Sequence, residues 1–541
     1  LDLSINNPLT QTITMKKILP LLAIFGLVFV SCSKDKTTTV TPPVEPTPIE
    51  YTSGSADFSN FVSVGNSLTA GYSDNALFID GQTNSYPNML ATNFALAGGG
   101  IFNIPFMADN LGGATLGGTP IFGNRLILDF STGSPMPVEV SGTGSTEISN
   151  TLSGSFNNMG VPGAKSFHLG APGYGNVAGV AAGLANPYYA RFASSPTATV
   201  IGDAIAQNPS FFSLWIGNND ILTYATGGGV GEDQTGNFDP TTYGSSDITD
   251  PIVFANTYES LLMALKSNGA DGIVANIPDI TTIPYFTAVP HNPLDPTNPD
   301  FGPQIPTLNA TFAQLNGAFA FLGVPERSIE FSTTAASALV IRDDALADIS
   351  VPLTQTLIGG GLDAPTAGVL GFLYGQARQA TAEDLIVFPS QAVIAQLNEE
   401  AFATLQNLGL PAANAGQLAI NGITYPMEDK WVLTPSEQQA VATAHAAYNQ
   451  TIEALATQYN VAFVDVNSFF ASIAENGFPL ADGSVVTADY GTGGGFSLDG
   501  VHPSPRGSAL LANLFIETIN AKHGSNLPGV NPLDFTGLYI N

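Results

Sequence analysis

The stretch "FVSVGNSLTAGY" (residues 61–72) decides the fold. Its first four residues form a strand-length apolar run without clean alternation, the pattern of a parallel strand buried on both faces. The chain then breaks at Gly65-Asn66 and presents Ser67. Similar short runs lie at 211–216, 273–277 and 461–466. Helical patterns precede the last two, "NTYESLLMALKSNGA" (256–270) and "TPSEQQAVATAHAAYNQTIEALATQY" (434–459). In the second, Thr434 can cap the helix with Glu437 three residues on, and Pro435 suits the first helical position. Strand and helix in this order predict an α/β doubly wound parallel sheet.

Composition narrows the function classes. Of 541 residues 44% are hydrophobic, enough for a large core, and 57 Gly with 38 Pro imply many turns and long loops. The formal net charge is −30, from 14 basic and 44 acidic residues. Lys16, Lys17, Lys34 and Lys36 belong to the N-terminal leader and tether, so the body is too poor in cations for a basic stripe. Nucleic acid is therefore excluded as a partner. The acidic excess serves solubility and disfavours polyanionic substrates.

The N-terminus reads as an address. Met15-Lys16-Lys17 precedes an apolar run over 18–30, then Ser31 and Cys32, the only cysteine. A basic start, a short apolar stretch and a small residue before the cut make a signal peptide over 15–31. The run is too short for a membrane span of about 20 residues. Cys32 falls at the cleavage point, so it is expected to carry the lipid of a bacterial lipoprotein. That implies the cell envelope and the outer membrane of a Gram-negative bacterium. Residues 1–14 look like upstream translated sequence. Residues 32–56 are rich in Thr and Pro and read as an extended tether.

The body spans 57–525, with 526–541 as a C-terminal tail, and is expected to be a monomer. Two segments exceed what the sheet needs. Residues 98–156 contain "RLILDFSTGSPMPVEV" (125–140), a hairpin pattern, and 290–433 hold helical patterns at 308–322 and 391–408. Ordinary connections are a handful of residues, so both are insertions. A lid, a specificity subdomain and inert decoration all fit the second. Its "GVLGFLYG" (368–375) reads as core before acyl-chain cover.

A serine nucleophile needs a base, a group that orients the base, and donors for the oxyanion. There are five histidines. His291 sits in a proline-rich loop, His445 among helical alanines and His523 in a polar C-terminal turn. His168 follows the glycine turn "VPGAKSFH" and could line a site. His502, in "SLDGVHPSPRG", has Asp499 three residues earlier, and positions i and i+3 share one side of a turn. Asp343, Asp344 and Asp348 in "RDDALAD" read as a solvated helix face with no histidine near, so no metal is expected.

Four blocks occur in order: "VGNSL" (64–68), "NMGVPGA" (158–164), "WIGNND" (215–220) and "LDGVHPS" (498–504). Together they resemble the SGNH hydrolase superfamily, whose best-known branch is the GDSL esterases and lipases. Gly65-Asn66-Ser67-Leu68 departs from that first block only at Asn66, which replaces aspartate. The resemblance covers roughly residues 58–523, interrupted by both insertions. It implies a three-layer α/β/α, flavodoxin-like parallel sheet. Ser67 would be the nucleophile, His502 the base, and Asp499 the residue holding its tautomer. The N–H groups of Ser67 and Gly163 and the amide of Asn219 would form the oxyanion hole. Gly160 is a second candidate for the glycine, and Gly163 is preferred because it follows the strand end. Asp220 would tie down the loop. No cofactor is implied.

The expected activity is carboxylic-ester hydrolysis on a small-molecule, lipid or glycan ester. A carbohydrate O-acetylesterase and a catalytically silent surface-binding lipoprotein are the alternatives. An α/β-hydrolase is disfavoured because no G-x-S-x-G elbow occurs.

Overall fold

Phe61–Gly65 forms the first strand, β1, with all five residues buried. It lies second from one edge of a five-stranded sheet in a computed structural model that describes residues 49–131 and 135–540. Readings on residues 1–48, the signal peptide and Cys32 included, lie outside the described residues. The other strands are β2 (Asn158–Gly160), β3 (Phe211–Trp215), β4 (Asp271–Ala275) and β5 (Ala462–Val464). Every pairing is parallel, in the order β2-β1-β3-β4-β5. This is the doubly wound order 2-1-3-4-5, which reverses direction at β1.

The period-two geometry of a strand sends alternate residues to opposite faces. Val62, Val64, Phe212, Leu214 and Val274 enter one apolar cluster. Phe61, Phe211, Trp215, Ile273 and Val464 enter another. The short helix α1 (Ser67–Ala70) follows β1, and α2 (Tyr86–Ala95) covers the second face with Leu90 and Phe94. After β3 come α3 (Asn219–Thr226) and α4 (Pro251–Lys266). The long α5 (Pro435–Gln458) joins α4 on the first face, through Tyr448, Ile452, Tyr258 and Leu262. Helix α6 (Val466–Asn476) follows β5, and α7 (Pro505–His523) packs on the second face beside α2. The sheet is thus covered by helices on both faces. Among the described residues, no helix is long and apolar enough to cross a membrane.

The two insertions differ in kind. Within 98–156, Leu126–Asp129 pairs with Met136–Glu139 as the antiparallel hairpin its sequence predicts. Residues between 289 and 432 build a separate buried cluster that includes Ile305, Phe319, Leu353, Tyr374 and Met427. Val369, Leu373 and Tyr374 of "GVLGFLYG" are buried in it. The helix expected over 391–408 begins only at Glu399, where Asn398 caps it. The "RDDALAD" segment is strand end and turn, not helix face. Asp343 is buried there, paired with Arg378 at 2.7 Å, while Asp344, against Arg342, and Asp348 are exposed as expected. His523 is likewise not in a polar turn; it ends α7 and is buried. The tail packs back, with Leu527 buried and the Thr536 carbonyl accepting the Arg506 N–H at 3.0 Å.

The capping box read from the sequence is present. The Thr434 N–H donates to Glu437 Oε2 at 2.7 Å, and α5 starts on Pro435. Thr434→Ala removes the cap at the start of the longest helix and should cost about 1 kcal/mol of stability, read as a lower denaturant midpoint.

Candidate active site

Ser67, Gly163 and Asn219 all leave the carboxyl ends of strands, on either side of the point where the strand order reverses. That edge is where open α/β sheets bind ligands. Gly65 pairs with both Gly160 and Trp215, so β2, β1 and β3 end at one level.

Ser67 opens α1 behind an Asn66 cap. Asn66 Oδ1 accepts the Leu68 N–H at 3.1 Å, and its Nδ2 donates to Asn218 Oδ1 at 3.3 Å. Both asparagines are buried, Asn66 completely. The amide therefore does two jobs: the oxygen fixes the Ser67 turn and the nitrogen ties it to the turn after β3. An aspartate could do only the first without a change at Asn218. The Ser67 N–H has no intramolecular partner among the described residues.

His502 Nε2 lies 2.8 Å from Ser67 Oγ, and its Nδ1 lies 2.9 Å from Asp499 Oδ2. Asp499 Oδ1 also accepts the N–H groups of Val501 and His502 at 2.9 and 2.8 Å. Burial pushes the Asp499 carboxyl up, but His502 and these donors outweigh it and hold the group at about 2. Asp499 is thus an anion at any working pH and fixes the proton on His502 Nδ1, leaving Nε2 to accept from the Ser67 hydroxyl. The ring of Tyr72 lies against the imidazole, with centroids 4.8 Å apart.

The other candidates separate clearly. The Gly160 N–H donates to Asn158 Oδ1 at 3.0 Å, and a Cβ there would stand 2.2 Å from the Ala70 nitrogen. Gly160 is thus the place where β2 and α1 approach closely, and its donor is used. Gly163 has a φ of +79°, which favours glycine, and its N–H has no intramolecular partner among the described residues. The glycine turn is tied to the residues after β3. Asn219 Nδ2 donates to the Ala164 carbonyl at 2.9 Å, leaving its second amide hydrogen. Asp220 accepts from the Ser166 N–H and hydroxyl at 2.8 and 2.7 Å, and burial pushes its carboxyl up. Asp220 thus pins the loop. His168 is not brought to Ser67. Its Nδ1 accepts the Lys165 N–H, its ring stacks on Tyr174, and burial lowers it to about 4. His445 bonds the Ile277 carbonyl at 2.7 Å. Among the described residues no group of three or more His, Cys, Asp or Glu is arranged to hold a metal.

Beside Ser67 is a small pocket of about 40 Å³, lined on its apolar side by Leu222, Ile280, Ile283, Phe470 and Val501. None of its lining residues comes from 98–156 or 290–433. The second insertion instead lines an open cleft nearby, through Ala382, Glu383 and Leu385.

Several supporting residues escaped the sequence reading. Asn158 Nδ2 holds the Thr69 carbonyl at 2.9 Å, and Asn186 Nδ2 holds the Pro162 carbonyl at 2.8 Å. Asn158 stands in the second block, where it passed as part of the turn; nothing in the sequence marks Asn186.

The chain matches no known protein family, no curated protein and no solved structure.

Asn66→Asp keeps the acceptor for Leu68 but obliges the Asn218 amide to turn over and donate. Any turnover the site supports should change by less than about tenfold in that variant, since the contacts of Ser67, His502 and Asp499 are not touched. A gain of several orders of magnitude in kcat would instead mark Asn66 as a disabling residue.

Proposed function

We propose that the chain is a serine carboxylic-ester hydrolase of the SGNH type. The observation that carries this reading is the chain of contacts from Ser67 through His502 to Asp499, at 2.8 and 2.9 Å. Ser67 Oγ attacks the ester carbonyl while His502 Nε2 takes its proton. The same nitrogen returns the proton to the leaving alcohol, and water then releases the acyl group by the reverse path. Asp499 keeps the imidazole oriented and stabilises its charged form. The Ser67 and Gly163 N–H groups and the free Asn219 amide hydrogen meet the oxyanion. An amide donor suits this task because it adds no counter-charge to the site.

The pocket beside Ser67 favours a short acyl group. At about 40 Å³ the pocket is small, which favours an acetyl-sized group over a long chain. This is the observation on the side of the O-acetylesterase reading, with a glycan or other polar alcohol leaving. A second apolar pocket, lined by Phe469, Ile473, Val486, Phe496 and Leu510, lies beyond Phe470, which borders both. Pro503 borders both as well, and of the two Phe470 presents the larger side chain, so we assign it the limit on acyl length. With Cys32 lipidated, the enzyme would work at the outer membrane.

A fluorophosphonate probe should label the protein at Ser67 only. Ser67→Ala and His502→Ala should each lose at least about 10³-fold in ester turnover while keeping their melting temperature. Near-wild-type turnover in either variant would remove the triad. An unlabelled, inactive wild type would leave the silent binding protein as the better reading. Across a nitrophenyl ester series, acetate should be turned over fastest. Phe470→Ala should raise the octanoate-to-acetate ratio of kcat/KM by about tenfold or more, by joining the two pockets.

A further inference from the structure

The segment just after the nucleophile helix has an uncommon backbone. Asp74 and Asn75 both lie in the left-handed region, with φ of 50° and 64°. Ser73 and Ala76 close this turn with mutual N–H to carbonyl bonds of 3.1 and 3.0 Å. This is a type I′ turn, which needs positive φ at both central residues, and Asp and Asn tolerate that conformation better than other side-chain-bearing residues.

What the turn achieves is visible in its partners. The Asp74 N–H donates to Ser497 Oγ at 3.0 Å. Asp74 Oδ1 accepts the Leu498 N–H at 2.9 Å. The Asn75 N–H donates to Asp499 Oδ2 at 3.0 Å, the same oxygen that faces His502 Nδ1. Three consecutive residues of the Asp499 loop are thus gripped by two residues of the turn. The left-handed conformation aims the successive N–H groups of Asp74 and Asn75 at that loop.

The turn is held in its own place by the 98–156 insertion. The Leu126 N–H donates to the Asp74 carbonyl at 2.7 Å. The guanidinium of Arg125 lies between the rings of Phe78 and Tyr539, 5.0 and 4.8 Å from their centroids.

We propose that the Ser73–Ala76 turn is the positioning element of the catalytic acid, with Asp74 as the positioning residue that sets the Asp499 loop against His502. This rests on the ester-hydrolase reading above and assigns the 98–156 insertion a task, buttressing that turn. Asp74 touches neither substrate nor Ser67; it acts through Asp499.

Asp74 is also a second carboxyl beside Asp499, and it is only 1% exposed. Burial and the Asp499 charge push it up to about 7, against the Leu498 N–H, Arg125 and the Ser73 hydroxyl, which pull it down. The buried phenols of Tyr490 and Tyr539 also feel its charge. Below pH 7 Asp74 is neutral; above it, a second negative charge stands behind Asp499 and favours the imidazolium that forms at His502 during the reaction.

The test uses Asp74→Ala, Asp74→Asn and Ser497→Ala in the full chain, with kcat and KM for nitrophenyl acetate from pH 6 to 8. Asp74→Ala should lower kcat at least about tenfold with KM nearly unchanged, well short of the roughly 10⁴-fold that loss of the triad acid costs. Asp74→Asn keeps the acceptor for Leu498. It should match the wild type at pH 6 and fall behind it by several-fold at pH 8. Ser497→Ala, which leaves Asp74 intact, should lower kcat in the same sense and serves if Asp74→Ala does not fold. Wild-type kcat in the folded Asp74→Ala or Ser497→Ala protein overturns the positioning role, as does a loss confined to KM. A wild-type to Asp74→Asn ratio that stays flat with pH overturns the role of the Asp74 charge. If wild-type protein is not labelled at Ser67 and hydrolyses no ester, it is the ester-hydrolase reading that fails.

Discussion

The parallel pairing of β1 with β3, with Gly65 opposite Trp215, governs the rest of the site. Neighbouring strands are about 4.8 Å apart, so two turns that leave them at one level must meet side by side. One turn carries Ser67 and the other carries Asn219. The Asn66–Asn218 amide pair bridges them, and the β2 pairing at Gly65 brings the glycine turn to the opposite flank. A slip of one residue in β1 would exchange its two buried faces and move Ser67 away from all of these partners. The register that packs the core is therefore the register that assembles the site.

Three buried carboxyls near this edge show how surroundings divide one chemistry into different states. Asp499 accepts three backbone N–H groups and faces an imidazole, and it stays ionised down to about 2. Asp220, fully buried, is raised by its burial and is satisfied by Ser166. Asp74 accepts a single backbone N–H and stands next to another anion, which leaves it near neutrality. The donors aimed at Asp499 outweigh its burial, whereas burial prevails at Asp220 and Asp74.

Much of this was legible in the sequence. Strands buried on both faces announce themselves as apolar runs, so β1, β3, β4 and β5 could be read directly. Strand β2 could not, because three residues including an asparagine and a glycine carry no run. Asp499 and His502 share a turn by their spacing, but they and Asn219 become candidates through the ordered blocks that resemble the SGNH pattern. Tyr72, Asp74 and Asn75 were in plain view beside Ser67, yet nothing local marks them. Their partners stand more than 420 positions away, and only the folded chain makes the acquaintance. The "RDDALAD" reading failed at Asp343 for a related reason: Arg378, which pairs with it, is 35 residues downstream.

The segment between 289 and 432 keeps most of its buried apolar side chains in a cluster of its own, within which Val289 bridges to Ile386, while Val387 enters the sheet's first cluster. The entropic cost of closing a loop grows only slowly with its length, so a long excursion burdens the sheet little. Because that excursion supplies most of its own interior, substitutions inside it and away from Val387 leave the sheet's layers packed as they are. The architecture thus sets a largely self-supporting region beside an edge whose geometry is committed.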